Sequence, residues 1–210
     1  MLHIFQILTY RFLFLLLICL AYSLDAQQYI LDHYSQDDGL SFNICNDVIQ
    51  DKEGFIWVST EAGLNRFDGI EFKKYYSDPN NTNGPSADIG VELFQDSYGF
   101  IWWYTGDATL NKYNPKTQRF EHFTNPIDGD NNPDKNAGYT FAEDKNKNLY
   151  MASARGLCKH DRTENKIKLI EFDDTNGKIP MPIRKIFFTS DDKMVVCAGN
   201  GAYEVNPSSK

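Results

Sequence analysis

Four oxygen-bearing side chains alternate along one stretch of the chain as they do at the start of a calcium-binding loop: Asp128, Asp130, Asn132 and Asp134. Such loops supply oxygen ligands to the ion from alternate positions. Here, however, Pro133 stands where the sharp turn needs glycine, and Tyr139 stands where the bidentate glutamate belongs. A solvated loop is therefore the favoured interpretation, and we predict no metal-ligating residues.

Neighbouring acids suggest a second chemistry, because a glycosidase uses two carboxyl groups that face each other across a cleft. The chain contains three conspicuous pairs: Asp37-Asp38, Asp173-Asp174 and Asp191-Asp192. Adjacent acids in turn-rich stretches are typical of exposed loops, and nothing in the sequence sets two of them opposite each other. There is also no Gly-x-Ser-x-Gly elbow, zinc spacing or phosphate-binding loop. We predict no catalytic residues, no cofactor and no cofactor-binding residues.

Three consecutive aromatic residues, Trp102, Trp103 and Tyr104, could contact a sugar ring. If they lie on a strand, alternation sends Trp102 and Tyr104 to one face and Trp103 to the other. Aromatic faces stack on sugars, but they also fill the space between packed sheets. Packing is the favoured interpretation, and Trp103 and Tyr104 are kept as the candidate ligand-binding residues.

The aromatic run belongs to a repeated pattern. Residues 51–57, with the sequence DKEGFIW, return as 96–102, with the sequence DSYGFIW, 45 positions later. Weaker copies follow at 144–150 and 189–195. A period of this length with several short strands in each repeat is typical of a β-propeller, whose blades must pack on one another because each has little core of its own.

Each repeat predicts a blade of four antiparallel strands. The first copy has turn signals around 51–54 and 61–63 and a two-residue hairpin signal at Asp68-Gly69. These turns separate strands predicted at 44–50, 55–60, 64–67 and 71–76. The fold class is therefore all-β, with about four propeller blades at 44–76, 88–124, 138–172 and 183–206.

Two kinds of position recur in the blades. Gly54 and Gly99 suit the positive φ of a tight turn, while Asp51 and Asp96 can accept hydrogen bonds from the turn backbone. Apolar residues form columns that we expect to stack between blades. The columns are Val48, Leu93, Phe141 and Ile186 in the first strand, Trp57, Trp102, Tyr150 and Val195 in the second, and Phe67, Tyr113, His160 and Val205 in the third.

Charge and cysteine content exclude some classes of protein. The formal net charge is -8, and no basic stripe is visible, so we expect no nucleic-acid partner. Beyond the N-terminal segment the chain has three cysteines, Cys45, Cys158 and Cys197. This odd set implies no disulfide framework, and we predict that the three behave as buried small hydrophobic residues.

The N-terminus has the pattern of an export signal. Arg11 precedes the apolar run 12–22, and polar residues resume at Ser23. We predict a signal peptide at 1–26, cleaved after Ala26, and a periplasmic protein whose propeller repeats occupy 27–210. An uncleaved membrane anchor is the alternative, although the run is short for a spanning helix. Residues 29–35 match the fourth-strand pattern, so we expect them to form the outer strand of a closing blade.

The sequence resembles a known repeat family. Residues 38–43 (DGLSFN) and 51–69 (DKEGFIWVSTEAGLNRFDG) are similar to the two-component regulator propeller repeat, strongly over 38–76 and well over 88–123. That family builds the periplasmic sensor region of hybrid two-component histidine kinases. The resemblance implies an N-terminal part of such a sensor, taken from a seven-bladed propeller that is incomplete here.

The resemblance also implies a function. Family members carry a membrane helix and a cytoplasmic kinase, form dimers through parts absent from this chain, and often sense oligosaccharides. We therefore expect a non-enzymatic ligand-sensing propeller that recognises a glycan fragment, with ligand contacts on the rim formed by the long loops 77–87 and 124–137. The alternatives are a scaffold propeller, which could be a closed four-bladed ring, and an enzyme such as a lyase or glycosidase.

Overall fold

The computed structural model describes residues 31–124, 140–153, 156–170 and 182–205, together with residues 3, 6, 7 and 10–14 near the N-terminus. The chain divides into two units, Met1–His33 and Tyr34–Lys210. In the first unit the described residues 10–14 are helical. Among the described residues, no helix has both the length and the apolar character needed to cross a membrane. The signal peptide predicted at 1–26, which falls mostly outside the described residues, stays a prediction.

The second unit is built from four antiparallel sheets, which we name blades 1 to 4 in chain order. Blade 1 contains β1 (Cys45–Gln50), β2 (Ile56–Thr60), β3 (Gly63–Phe67) and β4 (Phe72–Tyr75). Blade 2 contains β5 (Gly90–Gln95), β6 (Ile101–Thr105), β7 (Thr109–Asn114) and β8 (Arg119–Thr124). Blade 3 contains β9 (Thr140–Glu143), β10 (Leu149–Ser153), β11 (Gly156–Asp161) and β12 (Lys166–Leu169). Blade 4 contains β13 (Ile183–Phe188), β14 (Met194–Ala198) and β15 (Gly201–Val205) in its described part.

This architecture confirms the all-β prediction, and blades 1 to 3 have the predicted four strands. Within each sheet the strands pair in the order of the sequence. In blade 1 the predicted strands agree with the observed ones to within one residue at either end. The agreement arises because turn residues separate short apolar strands, so local chemistry alone marks the boundaries.

Residues 31–35 correct the prediction of an outer strand at 29–35, because they are not in a strand; residues 29 and 30 lie outside the described residues. A short 3-10 helix, Gln36–Asp38, follows, and Ser35 caps it. The Ser35 backbone N–H donates to the Asp38 carboxylate at 2.9 Å, and the Ser35 hydroxyl accepts from the backbone N–H of Asp37 at 3.2 Å. This capping box fixes the turn that directly follows the predicted strand.

The core lies between successive blades, as the predicted columns require. Leu93 on β5 packs with Trp57 of blade 1, Phe141 on β9 packs with Trp102 of blade 2, and Ile186 on β13 packs with Tyr150 of blade 3. The first-strand column therefore always faces the preceding blade. Each interface buries several large side chains, which contribute on the order of 1.5 to 3 kcal/mol each.

Two predicted core positions are wrong because of this direction of packing. Val48 belongs to the same column as Leu93 but is 60% exposed. Among the described residues, no blade packs on that face of blade 1, so the Val48 side chain is left exposed to solvent. Cys45 was predicted to be buried but is exposed at the start of β1, a strand with no buried residue. Cys158 is buried as predicted, and Cys197 is half-buried.

The turn between the first and second strands is held by its aspartate, as predicted. The Asp51 carboxylate accepts hydrogen bonds from the backbone N–H groups of Glu53 and Phe55, at 3.0 and 2.9 Å. Its second oxygen also accepts from Trp57 Nε1 at 2.7 Å, a bond that the sequence did not indicate. One side chain thus closes the turn and fixes the indole that fills the interface with blade 2.

A repeated hydrogen bond joins neighbouring blades at these turns. The backbone N–H of the residue after the turn aspartate donates to a side chain of the next blade. The three pairs are Lys52 to Gln95, Ser97 to Glu143 and Lys145 to Asp192, each at 2.9 Å. The successive blades are therefore fixed by polar bonds at one end of the sheets as well as by apolar packing.

Candidate functional site

Trp103 and Tyr104, the ligand-binding residues predicted from the sequence, are both fully buried. Trp103 lies between blades 1 and 2, where its Nε1 donates to Ser59 Oγ at 2.9 Å. Tyr104 packs in the core between blades 2 and 3. Neither ring offers a face to a ligand. Packing between blades, the interpretation favoured from the sequence, is the role observed for both, and neither stays a ligand-binding candidate.

The predicted ligand-binding rim is described only in part. Residues 125–137, which include most of the second long loop and the calcium-like residues Asp128, Asp130, Asn132 and Asp134, lie outside the described residues. No group of side chains suited to hold a metal ion occurs within the described residues.

The end of the first long loop, at residue 86, is anchored on blade 2 by a buried polar network. The Ser86 backbone N–H donates to Asn111 Oδ1 at 2.9 Å, and its hydroxyl lies 3.0 Å from Thr105 Oγ1. Blade 1 repeats this arrangement with Ser41, Asn65 and Thr60. The network holds the loop in place, so it serves the fold rather than a ligand.

A polar cavity with a volume of about 390 Å³ lies between blades 2 and 3. Blade 2 contributes Tyr98, from the turn before β6. Blade 3 contributes residues from the turn before β10, from β11 and from the β11–β12 hairpin. Its lining comprises Tyr98, Asn146, Lys147, Asn148, Lys159, His160, Asp161, Arg162, Thr163 and Lys168. We name it the inter-blade cavity.

Arg162 fixes one wall of the inter-blade cavity. Its Nη1 donates to Asp96 of blade 2 at 3.2 Å, and its Nη2 donates to Glu143 of blade 3 at 3.1 Å. The guanidinium also stacks on the Tyr98 ring, 4.2 Å from its centroid. Because the Asp96 side chain is fully buried, it contributes a desolvated charge, and the pair links two blades. Sequence reasoning missed Arg162, which is 66 positions from Asp96.

Further ion pairs lie in the β11–β12 hairpin, which forms another part of the cavity lining. Lys168 Nζ is 2.6 Å from Asp161 and 2.6 Å from Glu164. The hydrogen bond from Lys168 is the main reason that the pKa of Asp161 is lowered to about 2. Asp161 is therefore ionised at neutral pH and matched by Lys168.

His160 lies beneath the cavity, only 2% exposed, with its ring against Trp102 and Phe123 at centroid distances of 4.9 and 5.5 Å. Burial lowers its pKa below the ordinary value of 6.5. Lys112 and Arg162 lower that pKa further, while the hydrogen bond to Asn165 and the charge of Asp96 oppose them. The imidazole is therefore neutral at neutral pH.

This burial predicts a pH dependence of stability. The pKa of His160 is lower in the folded state than in the unfolded chain. As the pH falls through about 6.5, the unfolded chain therefore takes up a proton first, and the folded state loses stability relative to it. His160→Phe, which restores the aromatic character of the column, should make the unfolding free energy fall less steeply between pH 7 and pH 5. Urea unfolding of the wild-type and variant proteins at several pH values measures this dependence. An equal change of the unfolding free energy with pH in both proteins would contradict the buried, neutral state of His160.

No protein-family model matches the chain. Over 85 residues the chain is 36% identical to histidine kinase P4 of Formosa agariphila, a match that spans 40% of this chain and 6% of the kinase.

The chain is also similar to solved structures of other proteins. Extracellular domains of two hybrid two-component systems of B. thetaiotaomicron superpose with TM-scores of 0.65 and 0.66, at 23% and 21% identity. The matches span 85% and 86% of this chain and 27% and 26% of those chains. This chain is therefore similar in sequence to part of a named histidine kinase and in fold to extracellular domains of two-component systems.

The resemblance inferred from the repeats is thereby confirmed, and so is the propeller fold. Beside these two-component relatives, virginiamycin B lyase of Staphylococcus aureus has a TM-score of 0.55 at 12% identity, over 78% of this chain and 52% of the lyase. At such identity the likeness shows the fold alone. The described residues of the second unit form blades and connecting segments, without a kinase domain.

Proposed function

We propose that the chain is part of the periplasmic ligand-sensing propeller of a two-component system. In this role it recognises a glycan fragment and signals to a kinase that lies outside these residues. The observation that carries the proposal is the joint likeness to a named histidine kinase in sequence and to extracellular domains of two-component systems in structure. Fold alone would not support a function, because propellers host many.

The polar cavity between blades 2 and 3 is compatible with this role. Its volume of about 390 Å³ falls within the range of about 300 to 1,000 Å³ that is usual for small-ligand sites. Its walls come from two blades joined by Arg162, so a ligand bound there contacts both. Such a ligand could favour one relative placement of the blades, which is the kind of bias that a sensor transmits.

Titration of the purified chain with a panel of oligosaccharides tests the proposal. Saturable binding of at least one saccharide, measured by calorimetry, is the expected result. Absence of binding across the panel would instead favour a scaffold propeller, the alternative supported by the exposed apolar residues Val48 and Phe187 on the outer faces of blades 1 and 4. Depolymerisation of a polysaccharide by the chain would contradict a non-enzymatic role.

A further inference from the structure

The junction between blades 2 and 3 encloses a histidine where the earlier blades carry a phenyl or phenol ring. His160 occupies the third-strand position that is Phe67 in blade 1 and Tyr113 in blade 2. Tyr113 is fully buried between blades 1 and 2, and its hydroxyl lies 3.0 Å from that of Tyr75. His160 is buried to the same degree, but unlike a phenol it can gain a charge between pH 5 and pH 8.

The imidazole of His160 has room for a proton on one nitrogen only. Its Nε2 lies 3.2 Å from Asn165 Oδ1. Because that oxygen only accepts, Nε2 carries the proton and donates it. The other nitrogen, Nδ1, is buried and has no hydrogen-bond partner within the described residues. A second proton on the ring would therefore add both a buried charge and a buried donor without an acceptor.

The charged groups that face His160 do not offer it a free counter-ion. They are Lys112 on β7, Glu121 on β8, Asp96 in the turn before β6 and Arg162 after β11. Lys112 and Glu121 are paired at 3.2 Å, and Arg162 and Asp96 are paired at 3.2 Å. The neighbouring strands β6 and β12 present the uncharged side chains of Trp102 and Ile167. Each facing carboxylate already has a cation, so protonated His160 would remain unpaired in this junction.

Open spaces lie on two sides of the histidine. His160 itself lines the inter-blade cavity. A second groove, with a volume of about 380 Å³, lies between the outer strands β8 and β12 and is lined by Asn165 and Phe123, which both contact the ring. The outer strands of the two blades are therefore not packed tightly on each other, and water can enter when they move apart.

We propose that His160 is a proton-sensitive latch between blades 2 and 3, whose protonation in mildly acidic medium drives the ring out of the junction and separates the outer strands of these two blades. Once exposed, the imidazolium is solvated and both of its N–H groups donate to water. Loss of the proton lets the ring return, so the change is reversible. The latch needs no glycan, and its test is independent of the saccharide titration.

Hydrogen–deuterium exchange of the purified chain at pH 7.5 and pH 5.5 tests the latch, after correction for the direct effect of pH on amide exchange. We expect protection of the amides in β8, β11 and β12 to fall about tenfold, because the open state takes up one proton with the ordinary pKa of about 6.5. Blade 1 contains no histidine and should keep its protection. Equal falls in blades 1 and 3 would show a global loss of stability and overturn the latch.

Variants assign the response to one side chain. His160→Phe and His160→Gln both remove the titrating group, the first with an aromatic and the second with a polar replacement. In each variant that folds, protection of β8, β11 and β12 should be the same at the two pH values. His33→Asn removes an exposed histidine of the first unit and should keep the tenfold change. A change with pH that persists without His160, or unchanged protection in the wild-type chain, would overturn the latch.

Discussion

Replacing Asp96 by alanine is expected to destabilise the propeller by about 4 kcal/mol, as the loss of one partner from a buried ion pair does. The Asp96 carboxylate accepts from the backbone N–H groups of Tyr98 and Phe100 at 3.0 Å each, and from Trp102 Nε1 at 3.1 Å. It also holds Arg162 at 3.2 Å. Alanine leaves three donors without this acceptor and removes one carboxylate partner of the guanidinium.

Asp51→Ala is the matched control for this prediction. Asp51 makes the same three bonds in blade 1, to Glu53, Phe55 and Trp57. No arginine is paired with it among the described residues, so we expect a smaller loss, of about 2 kcal/mol. Urea denaturation of both variants measures the difference. Equal losses would show that the Arg162 bridge contributes nothing to stability.

Gly90→Ala is expected to destabilise the interface between blades 1 and 2 by about 3 kcal/mol, as overpacking of a tight core does. A Cβ built at Gly90 would clash with Trp103 Nε1 and Ser59 Oγ, the two atoms of the inter-blade hydrogen bond. Both groups are fully buried and belong to neighbouring blades, so they can separate only if the blades separate.

Gly106→Ala provides the comparison, because the three atoms nearest to its Cβ would all belong to Ile89, the closest being Cγ2 at 3.3 Å. We expect this variant to lose less than about 1 kcal/mol. Thermal unfolding followed by tryptophan fluorescence reports on both variants, since Trp103 itself lies at the perturbed contact. A Gly90→Ala protein as stable as Gly106→Ala would show that the blades adjust to the added methyl group.

The sequence predicted the blades well because their signals are local. Turn residues and the repeated aspartate mark strand boundaries, and the 45-residue period aligns the columns from blade to blade. It did not predict that Val48 would be exposed, since a column shows which residues share a face but not whether another sheet covers it. Trp103 belongs to a face that is covered, so the packing favoured for it from the sequence is observed.

The inter-blade cavity could not be predicted because it depends on contacts between distant segments. Tyr98 lies in a turn of blade 2, while Arg162 follows β11 of blade 3, and their approach is set by how two sheets pack. Arg162 also falls outside the repeated pattern, so no column signalled it.

The two partners of the hydrogen bonds between blade turns differ in how freely they can be substituted. The donor is always a main-chain N–H, so any residue except proline can occupy that position, and here it is Lys52, Ser97 or Lys145. The acceptor is always a side-chain oxygen, supplied by glutamine, glutamate or aspartate. Mutational tolerance at these joints is therefore one-sided: substitution on the earlier blade preserves the bond, whereas an apolar residue on the later blade abolishes it.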